Sequence, residues 1–156
     1  MDNVENLMSY FPDIKYVFDK EMPKKQKGLY IDNVIYLNPA QSDAELYSTL
    51  SEEIGHHCTS IDDITDQKAL ETTKQERLAR QVGSEISVHP SKLLECKLQD
   101  FKADWECSEY LGVTLDHFRQ ALRLYKEKYG LQFEYDGYMF MFGEADALDI
   151  KRIIYY

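Results

Sequence analysis

The stretch that decides the reading is "SDAELYSTLSEEIGHHCTS", Ser42–Ser60. Ser42 followed three residues later by Glu45 is a capping box, in which each side chain can satisfy a free backbone N–H of the first turn. Leu46, Leu50 and Ile54 then recur every fourth residue and form one apolar face. The stretch is therefore an amphipathic helix, and its far end carries two acids and two histidines.

Side chains four apart on a helix stand on one face, about 5–6 Å apart at Cβ. That spacing is used by the His-Glu-x-x-His arrangement, where two imidazoles hold zinc and the intervening glutamate takes a proton from water. Glu52-Glu53-Ile54-Gly55-His56 has this frame with Glu52 at the first ligand position, Glu53 at the base position and His56 at the second ligand position. A carboxylate can ligate zinc at about 2.0–2.2 Å. It also lowers the positive charge on the ion, makes bound water less acidic, and shifts preference toward manganese or magnesium. A second frame pairs Glu53 with His57. Adjacent His56 and His57 point roughly 100° apart on a helix, which makes joint chelation awkward and leaves His57 a supporting role beside the ligands. The third ligand must come from another segment, and Glu76, opening "ERLARQVGSEI", is the best placed candidate. The same letters also suit an exposed helix end, and Glu76 with Arg80 suits a surface ion pair.

Working outward, "GLYIDNVIYLN" reads as a hairpin turning at Asp32-Asn33, and "LQFEYDGYMFMF" as a second one turning at Asp136-Gly137. Val4, Leu7, Met8 and Phe11 have helical spacing until Pro12. Ser60 to Thr73 is polar and reads as a loop with a helical start late on. Leu78, Val82 and Ile86 stand one turn apart and predict the next helix, which breaks at His89-Pro90 with Ser91 as the following cap. "DWECSEYLGVTLDHFRQALRLYKEKYG" gives two helices joined by "LGVT", with Gly112 ending the first and Thr114 capping the second. Trp105, Tyr110, Leu111, Phe118 and Leu122 are expected in the core of that pair, and His117 at the surface. The tail from Glu144 has no clear period.

The 156 residues suit one domain, read here as a core over residues 1–90 with a helix-turn-helix-like segment and hairpin over 91–156 packed on it. With 28 acidic against 18 basic residues, the net charge of −10 disfavours direct nucleic-acid binding, which draws on Lys and Arg. Cys58, Cys96 and Cys107 have no paired spacing and read as reduced thiols, two of them core and Cys58 helix packing. The first residues lack the basic and apolar regions of a leader, and no run is long enough to span a bilayer. These features together predict a cytoplasmic protein with no membrane association.

In the order of its parts the chain resembles the ImmA/IrrE family of metallo-endopeptidases, above all the short phage-encoded type. The hairpin "LYIDNVIYLN" precedes the helix "LYSTLSEEIGHH"; a polar loop leads to "QERLARQVGSEISVHPSKL"; the two helices of "DWECSEYLGVTLDHFRQALRLYKEKYG" follow. The resemblance covers about Gly28 to Gly130, and "EEIGHHCTS" is its specific part. It implies an α+β, zincin-like core with a small sheet against helices and a helix-turn-helix-like C-terminal part. It implies a zinc peptidase (manganese or another divalent ion being possible) of a phage or prophage, acting in the bacterial host's cytoplasm on a repressor-type regulator. Carried over, Glu52, His56 and Glu76 hold the metal and Glu53 is the catalytic base. Substrate strands are expected along the hairpin near residues 34–38. A non-catalytic protein-binding module keeping the fold, and a DNA-binding regulator, are the rival readings.

Overall fold

The computed structural model describes residues 2–60 and 69–155, with the backbone alone for residues 69–72. The architecture is α+β, with six helices and two three-stranded sheets among the described residues. Helix α1 (Asn3–Ser9) stops ahead of Pro12, and strand β1 (Lys15–Phe18) follows. Strands β2 (Gly28–Ile31) and β3 (Val34–Leu37) form the expected hairpin. Asp32 and Asn33 both take positive φ there, as a two-residue turn matched to strand twist requires. β3 also pairs in parallel with β1, so the sheet order is β1-β3-β2. Residues 34–37 are therefore the central strand, hydrogen-bonded on both sides. The expected docking of a substrate strand along residues 34–38 is corrected on that ground: the free edge on this side is β2.

Helix α2 (Asp43–Thr59) begins where the capping box puts it, with the Glu45 N–H donating to Ser42 Oγ at 3.2 Å. Leu50 and Ile54 are fully buried, each contributing ~1.5–3 kcal/mol of apolar transfer. The polar stretch expected as a loop lies outside the described residues over 61–68, and helix α3 (Ala69–Ser87) starts directly after it.

The buried face of α3 is built largely of small residues. Leu78 is 48% exposed, whereas Ala79, Gly83, Ser84 and Ser87 are buried. The cause is close helix crossing. A Cβ on Gly55 would stand 2.1 Å from the Ala79 carbonyl oxygen, and one on Gly83 would stand 2.8 Å from that of Ser51. Both are shorter than real contacts allow. Small side chains are what let α2 and α3 approach this closely, while Ile86 packs half-buried against the core.

Helix α4 (Pro90–Leu98) is capped by His89, whose Nδ1 accepts from the Ser91 N–H at 3.1 Å, rather than by Ser91. Helices α5 (Asp104–Leu111) and α6 (Leu115–Tyr129) meet at Gly112, in left-handed conformation, and Thr114, which accepts from the His117 N–H. Strands β4 (Gln132–Tyr135), β5 (Tyr138–Phe142) and β6 (Leu148–Arg152) close the second sheet as an antiparallel meander. Strand β6 is where no period was legible. One hydrophobic core runs from Val4 through Leu50, Ile54, Val88 and Phe118 to Phe140 and Ile150. It thus joins residues 1–90 to residues 91–156. Leu111, Phe118 and Leu122 belong to it as expected, but Trp105 and Tyr110 are exposed. No described helix is long and apolar enough to cross a membrane.

Candidate functional site

The end of α2 meets α3 on one side and strand β2 on the other. The crossing at Gly55 and Gly83 sets the distance, and with it the reach of Glu76 from α3 toward α2. Glu76 Oε2 lies 3.6 Å from His56 Nε2, both side chains partly accessible. Two donors of one tetrahedral zinc, each about 2.1 Å from the ion, stand roughly 3.4 Å apart. The spacing of this imidazole and carboxylate is thus that of two ligands to a common cation. Glu76 pairs with His56 rather than with Arg80.

Glu53 sits beneath strand β2. Its Cγ and Oε1 lie 3.0 and 3.1 Å from where a Cβ on Gly28 would stand, so the absent side chain at Gly28 makes the space for this carboxyl group. No described residue donates a hydrogen bond to it. Burial first, and then the like charges of Glu52 and Glu76, push its pKa up to about 7. A carboxyl group held there is half protonated in neutral solution and able to exchange protons with a bound water.

His57 takes no part in this cluster. Its Nδ1 is 2.9 Å from the Tyr30 hydroxyl, and its ring stands edge-on to Phe11 and Tyr30. Tyr30 in turn donates to Asn33 Oδ1 at 3.1 Å, so His57 fastens α2 to the turn of the first hairpin. Glu53 and His57 are therefore not brought together as a pair, and of the two histidines it is His56 that faces Glu76.

Glu52 points elsewhere. Its Oε1 is 3.5 Å from Nδ1 of His117 on α6. The other ring nitrogen, Nε2, is 2.6 Å from Ser87 Oγ on α3. The Ser87 hydroxyl also donates to the Gly83 carbonyl oxygen at 3.0 Å, so the imidazole is held by α3 through one nitrogen and stands beside the Glu52 carboxylate at the other. His117 is 5% exposed, which corrects the surface position expected for it. Sequence reading missed it because a histidine in the first turn of a helix looks solvated; no local signal announces partners from α2 and α3. Among the described residues no group of three or more His, Cys, Asp and Glu side chains converges as a metal cage. The donor set therefore fits a cation in two positions, His56 and Glu76, while Glu52 is held by His117.

No protein-family model matches this chain, and neither the curated proteins nor the solved structures contain a match.

The helix pair α5–α6 has a helix-turn-helix outline, yet α6 spends its residues on packing. His117, Phe118, Ala121, Leu122, Leu124 and Tyr125 are all buried. Of its cations, Arg119 pairs with Asp104, Lys126 with Asp146, and Lys128 with Glu85. The three cysteines are free; Cys96 is buried and Cys107 half-buried, but Cys58 is exposed, against the packing role expected for it.

Proposed function

We propose that this chain is a metal-dependent endopeptidase of zincin-like architecture, related to the ImmA/IrrE type, that cuts a repressor-type regulatory protein in the cytoplasm of a phage-bearing bacterial cell. The observation that carries the reading is a half-buried carboxyl group with a pKa of about 7, Glu53, beside an imidazole and a carboxylate spaced for one cation. His56 and Glu76 would hold zinc, or manganese, with Glu52 completing the set once its side chain turns from His117. An ion held there would supply Lewis-acid polarisation of the scissile carbonyl. Glu53 would take the proton from the attacking water and return it to the leaving amine; a cation at His56 and Glu76 would offset the like charges that raise its pKa in the metal-free chain and favour its ionised, proton-accepting form. The substrate backbone docks on the free edge of β2, the strand whose Gly28 lies against Glu53. The test is cleavage of a fluorescence-quenched peptide library with zinc or manganese present. Wild type is expected to cleave, and Glu53→Gln to lose on the order of 10²–10⁴-fold in rate; equal cleavage by the two removes Glu53 from the mechanism.

A second reading, a non-catalytic module that grips a partner protein, is favoured by the engagement of Glu52 with His117. It predicts no stabilisation by zinc and no cleavage.

A further inference from the structure

A groove of about 550 Å³ runs between α3 and α6, lined by Glu76, Arg77 and Arg80 from the first helix and by Gln120, Arg123 and Glu127 from the second. Glu76 belongs both to this groove and to the pair with His56, so the groove leads from the candidate site. Its charge is unlike that of the chain. Three arginines face two glutamates, in a protein whose net charge is −10. Arg77 lies 3.9 Å from Glu127, at the limit of an ion pair. Arg80 and Arg123 are exposed and have no carboxylate partner among the described residues, whereas the neighbouring cations of α6 are paired.

We propose that this groove binds an acidic segment of a peptide and delivers the adjoining residues to Glu53 and His56. A guanidinium group offers parallel N–H donors that match a carboxylate, and Arg80 and Arg123, on opposite walls, meet no carboxylate among the described residues. The volume lies within the range of sites that enclose a ligand. From Gln120 to Glu127 the groove runs roughly 10 Å along α6, which is about three residues of extended chain. An extended peptide of that length fits, and the net charge of −10 on the whole chain disfavours a polyanionic nucleic acid. The delivery step rests on the peptidase reading above, but the binding step does not.

The experiment measures anisotropy of a fluorescein-labelled, glutamate-rich decapeptide at low salt, with chelator present and Glu53→Gln as the protein, so that neither metal nor cleavage enters. The same peptide with glutamine for glutamate, and a single-stranded oligonucleotide of matched charge, are the comparison ligands. Binding at least tenfold tighter for the acidic peptide is expected, lost at least tenfold in Arg80→Ala/Arg123→Ala and lost only in part in Arg80→Lys/Arg123→Lys, which keeps the charge but not the paired N–H donors. Lys24→Ala/Lys25→Ala, in the loop before β2, should leave it unchanged. Equal binding of the glutamine peptide, no change in the alanine variant, or tighter binding of the oligonucleotide overturns the proposal. If the acidic peptide binds as predicted and the loaded wild type cleaves nothing, the peptidase reading fails and the groove stands. If neutral peptides are cleaved and the acidic one does not bind, the groove fails and the peptidase stands.

Discussion

Replacing Glu53 by glutamine should stabilise the metal-free protein, and by an amount that depends on pH. Glu53 titrates near 7 in the folded chain against about 4.5 for an ordinary glutamate. The folded state therefore binds the proton more tightly than the unfolded state. Stability from this group is fully present below pH ~4.5 and is lost as pH rises through 7. At about 1.36 kcal/mol per pKa unit, the full cost of ionising it is about 3 kcal/mol, reached above pH ~8. Near pH 5 the cost is about 1 kcal/mol. Glutamine has the same shape and does not ionise, so other titrating groups cancel when the two proteins are compared. Urea unfolding in chelator should show Glu53→Gln more stable by about 1 kcal/mol at pH 5 and by about 3 kcal/mol at pH 8.5, a midpoint shift of roughly 1–3 M at the higher pH. A difference that does not vary with pH, or a variant less stable than wild type at pH 8.5, would refute the burial and charge crowding from which the role of Glu53 is argued. The same carboxyl group would then have an ordinary pKa and no advantage as a proton carrier at neutral pH.

Zinc at a hundredfold excess over its dissociation constant should stabilise the wild-type chain by about 2.7 kcal/mol, read by thermal unfolding, and His56→Ala or Glu76→Ala should abolish the effect. Gly83→Ala places a methyl group 2.8 Å from the Ser51 carbonyl oxygen; it should cost about 1–3 kcal/mol in urea unfolding and weaken zinc binding together, because the α2–α3 crossing sets the His56–Glu76 distance. His117→Phe keeps the ring volume but removes the contacts to Ser87 and Glu52, and should cost about 1–3 kcal/mol, whereas Ser87→Ala should cost less because it removes one neutral partner.

What could be read in advance follows from the range of the interactions concerned. Local chemistry was legible: the cap at Ser42, the turns at Asp32-Asn33 and Asp136-Gly137, and the Gly112–Thr114 junction each depend on residues within one turn of themselves. Strand β1 was not, because its partner β3 lies across a parallel connection and no turn sequence marks it. The buried face of α3 was not legible because most of it is made of Ala79, Gly83, Ser84 and Ser87, which are small and give no strong apolar period. In the candidate site, Glu53, His56 and Glu76 follow from helix spacing and the order of segments. The diversion of Glu52 to His117 does not, since it joins residues from three helices through one buried ring. Arg123 of the α3–α6 groove stands more than forty residues from Arg77 and Arg80 in sequence; only the packing of the two helices puts them on facing walls.

The central claim is that the ends of α2 and α3 hold one divalent cation beside Glu53. Crystals grown with zinc, measured on both sides of the zinc absorption edge, test it directly. The account predicts one anomalous peak per chain within about 2.0–2.2 Å of both His56 Nε2 and a Glu76 carboxylate oxygen. No peak at that position, or zinc found only on surface side chains elsewhere, would contradict it.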